Sequence, residues 1–104
     1  MDDMSKWAIL LSAKDNVATV LISVRAETRV PILLAGTQAL CVVTTDAIPL
    51  GHKVSVQHIP SGGSVVKWGE TIGVATRDIR RGEHVHIHNV ASQRGRGDRA
   101  RGEA

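Results

Sequence analysis

The feature that most constrains this chain is a recurring seven-residue spacing: an apolar residue, two of any kind, a glycine, two more, then a valine. It appears at Ile59–Val65 (IPSGGSV) and again at Ile79–Val85 (IRRGEHV). Val24–Val30 (VRAETRV) keeps the spacing but puts Glu27 in the glycine's place. Glycine at that point suits a tight turn, because without a Cβ it takes positive φ at little cost. Each copy follows a short run rich in β-branched residues, so each reads as strand, turn, strand. The strand candidates are ATVLISV (18–24), ALCVVTT (39–45), KVSVQHI (53–59) and HVHIHNV (84–90). Turn chemistry separates them at 35–36 (AG), 48–51 (IPLG), 60–63 (PSGG) and 80–82 (RRG). Helical periodicity is weak everywhere; short stretches at Asp78–Gly82 and in the first dozen residues come nearest. Three copies at uneven spacing are too few for a solenoid, so the expected architecture is a compact, folded-over, all-β domain.

A chain of 104 residues carries one small core. With no Phe or Tyr, and only Trp7 and Trp68, Leu, Ile and Val must build it. No apolar run is long enough to span a bilayer, and Asp2 and Asp3 stand where a secretory leader carries positive charge. The lone Cys41, within ALCVV, reads as a core residue in a reducing cytoplasm. Net charge is +3, but residues 91–104 hold four arginines against Asp98 and Glu103, which leaves +1 on the rest. The expected division is a lead-in at 1–13, a β domain at 14–90, and a disordered Arg/Gly-rich tail at 91–104. An RNA-binding tail is the polyanion alternative. The body argues against nucleic acid, since it shows neither a basic groove nor stacking aromatics.

From Ile48 onward the sequence carries a longer signature. It contains Ile48, Pro49, Gly51, His52 and Lys53; then Lys67, Trp68, Gly69, Ile72, Gly73, Ala75 and Thr76; then Asp78, Ile79, Gly82, Val85, His86, His88 and Asn89. This closely resembles the SAF domain of altronate and galactarate dehydratases, and equally the small subunit of (2R)-sulfolactate sulfo-lyase. Trp68 stands where that family usually has tyrosine, Glu27 where it has a turn glycine, and His84 is an additional histidine. The resemblance implies a β-clip fold and a cytoplasmic, metal-dependent lyase that eliminates water or sulfite from a small hydroxy acid. It also implies a larger catalytic partner, because few ionisable groups are present here.

The chemistry implied is proton removal beside a carboxylate, which calls for a Lewis acid, a base and an acid for the leaving group. Fe²⁺ is the first expectation for the cation, with Mn²⁺ or Mg²⁺ as alternatives. His52, Lys53, His86 and His88 are the candidate catalytic residues, and Lys67 and Asn89 the candidate substrate contacts. Residues i and i+2 of a strand share a face about 7 Å apart, whereas i and i+4 lie about 13 Å apart. His86 with His88 is therefore the expected metal pair, His84 a bystander, and Val85 and Ile87 the core side of the same strand. An ordinary wet strand face fits the spacing as well. So does a non-catalytic module that binds carbohydrate or sugar acids. Trp68 is expected to plug a core or an interface. Lys53 and Lys67 could equally reach into solvent, and His52 could simply anchor its turn.

Overall fold

The computed structural model describes residues 7–92. Among them are nine strands and no helix. The strands are β1 (Ala8–Leu10), β2 (Val17–Val20), β3 (Arg29–Leu34), β4 (Thr37–Val43), β5 (Lys53–Ser55), β6 (Ser64–Lys67), β7 (Glu70–Ala75), β8 (His84–Val85) and β9 (Val90–Ser92). They form a six-stranded sheet, β4-β3-β1-β2-β5-β8, and a three-stranded sheet, β6-β7-β9. The all-β class expected from the sequence is what the chain adopts.

The repeated spacing organises the whole domain, and it has four copies rather than three. The fourth is Ile48–Val54 (IPLGHKV), which carries the same Ile, Gly and Val at the same intervals. All four opening residues (Val24, Ile48, Ile59, Ile79) and all four closing valines (Val30, Val54, Val65, Val85) are buried. Burying each such side chain contributes about 1.5–3 kcal/mol. The copies work in pairs. Val24 and Ile48 exchange two backbone hydrogen bonds of 2.9 and 2.7 Å, and Ile59 and Ile79 exchange two of 2.8 Å. The bonds around them also repeat partner for partner. The turn residues Glu27 and Gly51 donate their N–H groups to the carbonyls of Thr44 and Val20. In the second half Gly62 and Gly82 donate to Ala75 and Ser55. The domain is thus two copies of one β unit, each with its own apolar cluster.

The hairpins β3–β4 and β6–β7 obey the same symmetry. Each turns through two residues with positive φ, Ala35 (54°) and Gly36 (82°) in one, Trp68 (60°) and Gly69 (73°) in the other. That is the backbone which matches the twist of a two-residue hairpin. Each also carries a register shift, between Ile32 and Leu33 and between Val65 and Val66. Buried Asp15 and Asn16 join the halves. Asp15 accepts N–H groups from Leu11, Ser12 and Gly69, and Asn16 bonds Ser64 O and Val66 N, each at 2.8 Å.

Several expectations change. Glu27 does not give its turn a different backbone; it takes φ 59°, like the glycines elsewhere. The difference lies in how the turn closes. The other three turns bond directly from the fourth residue to the first (His52 N to Pro49 O, Gly63 N to Pro60 O, Glu83 N to Arg80 O). Here the buried Thr44 hydroxyl bridges the gap, accepting from Thr28 N at 3.0 Å and donating to Arg25 O at 2.8 Å. Trp68 is not in the core; it is 68% exposed at a hairpin tip. Cys41 is only half-buried, with the Arg29 guanidinium 3.8 Å from its sulfur. Residues 8–10, within the expected lead-in, form β1 between β3 and β2. The weak helical stretch at 78–82 is instead the turn at Gly82, with φ 90°. Residues 91–92 lie in β9, and the remainder of the expected tail, 93–104, is outside the described residues.

The six-stranded sheet curls until its edges meet, Thr45 N–H donating to Gly82 O at 2.9 Å. A Cβ at Gly82 would collide with the Val43 carbonyl oxygen, whereas one at Gly51 would meet open space. Gly82→Ala is therefore expected to cost about 3 kcal/mol or more, and Gly51→Ala about 1 kcal/mol from backbone strain alone. Urea denaturation of the two variants measures the difference.

Candidate functional site: an imidazole cluster beside a lysine

The site forms where β5 pairs antiparallel with β8, in the register Lys53↔Val85 and Val54↔His84. That register continues to set His52 against His86 across the strands. Their rings stack with centroids 3.8 Å apart and planes at 12°. His84 joins from the other side of Val85, its Nε2 2.9 Å from His52 Nδ1. The three residues each offer a ring nitrogen, and these nitrogens all lie within 4.8 Å of one another.

Each imidazole stands on a fixed backbone. His52 closes the Pro49–His52 turn through its N–H at 3.0 Å. His84 N–H donates to the Asp46 carboxylate at 3.0 Å. His86 N–H donates to Asn89 Oδ1 at 3.0 Å, and Asn89 Nδ2 donates to His84 O at 2.9 Å. Asn89 is fully buried, and both ends of its amide hold the 84–89 loop. It is a structural staple and does not present itself to a substrate, contrary to the expectation for it.

The strand expected over 84–90 is interrupted. β8 ends at Val85, and a turn closed by Asn89 N–H to His86 O carries the chain into β9. Two consequences correct the strand-face reading. Ile87, expected in the core, is 84% exposed. His88, expected to pair with His86 on one metal, stands outside the close trio, its ring 4.9 Å from that of His84 and tilted by 38°. His84, read as a bystander, is inside it. The pairing of β5 with β8 decides this, and spacing within one strand carries no information about it.

Lys53 is half-buried beside the cluster. It lines an open cavity of about 160 Å³ together with Ile72, His86, Ile87, Val90 and Ser92. Burial, and then the nearby Lys67 ammonium, hold the Lys53 pKa below its ordinary value. Both lysines therefore act on one region. His84 is held below the usual imidazole range by burial, then by His88, His52 and His86, with Asp46 acting in the opposite direction. His86 is lowered by desolvation, then by His52, Lys53 and His88. His58 is exposed and takes no part in the trio.

A donor set made only of imidazole nitrogens suits a first-row transition ion better than Mg²⁺, which prefers oxygen. Within the site as described, a cluster of imidazoles, a half-buried lysine and an adjoining, mostly apolar cavity lie together. That combination can bind a small anion.

Residues 6–93 match the altronate/galactarate dehydratase SAF domain. The chain belongs to that family. Among its relatives, (2R)-sulfolactate sulfo-lyase subunit alpha of Chromohalobacter salexigens is 45% identical over 49 residues, 47% of this chain and 52% of that protein. The protein of the same description from Paracoccus pantotrophus is 40% identical over 65 residues, 53% of this chain and 97% of that protein. Altronate dehydratase of Bacillus subtilis is 35% identical over 85 residues, 82% of this chain but 16% of the enzyme. The chain thus spans about half the first relative and about a sixth of the dehydratase.

The lowered imidazoles give stability a pH dependence of definite sign. The unfolded chain takes up these protons first as pH falls through about 6.5, so the contribution is intact above that value and lost below it. Melting temperature is expected to fall between about pH 7.5 and about pH 5.5, and His84→Gln to reduce that fall. Thermal denaturation at the two pH values tests this.

Proposed function

We propose that this chain is the small subunit, or detached N-terminal domain, of a lyase that eliminates water or sulfite from a small hydroxy acid. The observation that carries the reading is the convergence of His52, His84 and His86 beside Lys53 on one open face. Family membership supports it: the relatives that share the signature are named sulfo-lyase subunits and dehydratases.

In this reading the half-buried Lys67 ammonium attracts the substrate carboxylate, acting through less water than at an open surface. The Lys53 amine, with its pKa lowered, is a candidate to take the proton from the carbon beside that carboxylate. His86, which lines the same cavity, is kept neutral and serves as the alternative base. His88, exposed on the turn beyond, is the candidate to protonate the departing group. A divalent cation, when bound, supplies Lewis-acid stabilisation of charge developing on the carboxylate. Ile72 and Val90 keep water from one side of the cavity.

One face cannot enclose such a reaction, so a larger polypeptide completes the cleft. Ile87, 84% exposed, and Leu50, 61% exposed, flank the imidazoles and form the apolar contact such a partner would cover. Tagged chain recovered from its native cell is expected to bring down a larger lyase-family polypeptide, and Ile87→Asp with Leu50→Asp to release it. Thr37→Asp, at the far end of β4, should retain the partner. Within the complex Lys53→Ala should lower kcat/KM for a hydroxy-acid substrate about 100-fold or more. Failure to recover any lyase partner, or unchanged turnover with Lys53→Ala, would sink the proposal.

A further inference from the structure

We infer that His52, His84 and His86, without His88, form a three-imidazole site that holds one divalent transition-metal ion in this chain alone. The inference deepens the proposed function. It rests on that reading only for the role of the ion's remaining positions, not for the binding itself.

The geometry is set by two segments that are distant in sequence, the turn at Pro49–His52 and the stretch His84–His86. His52 ends the second of the four turns, His84 opens β8, and His86 starts the loop after it. Around an ion with nitrogen bonds of about 2.0–2.1 Å, neighbouring donors stand about 3 Å apart. The His52 Nδ1 to His84 Nε2 separation is 2.9 Å, and the third donor lies within 4.8 Å of both. The His52 and His86 rings lie stacked, centroids 3.8 Å apart and planes at 12°, so the His86 ring has to turn out of that stack for its nitrogen to meet the other two at one ion. Without an ion, the short contact is an N–H···N hydrogen bond between the two rings. With one, both nitrogens present lone pairs and the protons move to the outer ring nitrogens.

The backbone is prepared for the ion. The three ligand residues are anchored through their N–H groups to Pro49 O, Asp46 Oδ2 and Asn89 Oδ1, so little entropy is lost on binding. Asp46, held to the His84 backbone, is the nearest carboxylate by hydrogen bonding and adds favourable charge beside a cation. Three protein ligands would leave such an ion room for further donors, which a carboxylate and its neighbouring hydroxyl would supply.

Titration of the purified full chain with Co²⁺, read by visible ligand-field absorption, and with Zn²⁺, read by calorimetry, tests the site. One ion per chain is expected. His84→Gln should weaken binding about 30-fold or more, as should His52→Gln, while His88→Gln should stay within about threefold. In the wild-type chain, Zn²⁺ should shift the ring resonances of His52, His84 and His86 and leave those of His88 in place, a readout independent of whether any variant folds. Absence of saturable binding would overturn the inference. So would His84→Gln binding as tightly as wild type, or resonance shifts that follow His86 and His88 but not His52 and His84. A chain that binds no ion yet still recovers an active lyase partner would overturn this site and leave the proposed function standing. The opposite pair of results would do the reverse.

Discussion

The structure depends on a mutual pair of backbone hydrogen bonds made twice, between Val24 and Ile48 and between Ile59 and Ile79. Each pair brings two turns back to back and buries the apolar residue that opens each turn. The turns are held by a left-handed residue whose N–H reaches across to a neighbouring strand. A helix satisfies its backbone locally; this domain satisfies it by crossing between halves, so few of its parts are expected to be stable alone. Its short strands, two to seven residues, are tolerable because turns and bridges supply bonds that longer ladders would otherwise make.

The site follows from a break in this internal symmetry. His52 and Glu83 hold equivalent places after the Gly51 and Gly82 turns, as do Lys53 and His84 after them. Yet β5 lies between two strands, β2 and β8, whereas β8 is an edge strand. Its pairing with β8 folds the end of the second unit onto the end of the first, and the histidines of both ends meet there. The curl of the sheet adds Asp46 from the chain beyond β4, bonded to the His84 backbone. The candidate functional groups therefore sit where the two units join, and each unit alone holds only part of the cluster.

Much of this was legible in the sequence. The apolar-x-x-Gly-x-x-Val spacing gave the turns and the all-β class because positive φ and a buried β-branched residue are local demands. The copy at Ile48–Val54 was equally legible and was overlooked because its residues were read as part of a longer signature. The substitution at Glu27 misled, since the compensating Thr44 hydroxyl is sixteen residues from Thr28 and nothing local announces it. Residues His52 and His86 were identified as site candidates from the signature. Their stacking, and the inclusion of His84 in place of His88, depend on register between β5 and β8, which no one-strand pattern encodes. Asn89 is a similar case: in the sequence its polarity fits a substrate contact and a cap on the strand's exit equally, and its burial with both amide ends bonded goes with holding the loop.

The balance of rigid and exposed features at the site fits the proposed cleft completed by a larger polypeptide. Histidines are useful to an elimination only if they are held in place, and here the backbone N–H groups of His84, His86 and His52 donate to Asp46, Asn89 and Pro49 and so fix the main chain that carries the rings. That rigidity does not depend on covering the rings. The same loop that positions His86 leaves Ile87 in the open, lining the mostly apolar cavity beside the rings. A β-branched side chain held outward by a stapled turn loses little further freedom when another surface closes over it. The exposed isoleucine and the ordered imidazoles are thus two outcomes of one structural device, the buried Asn89 amide, and both favour a cleft completed from outside.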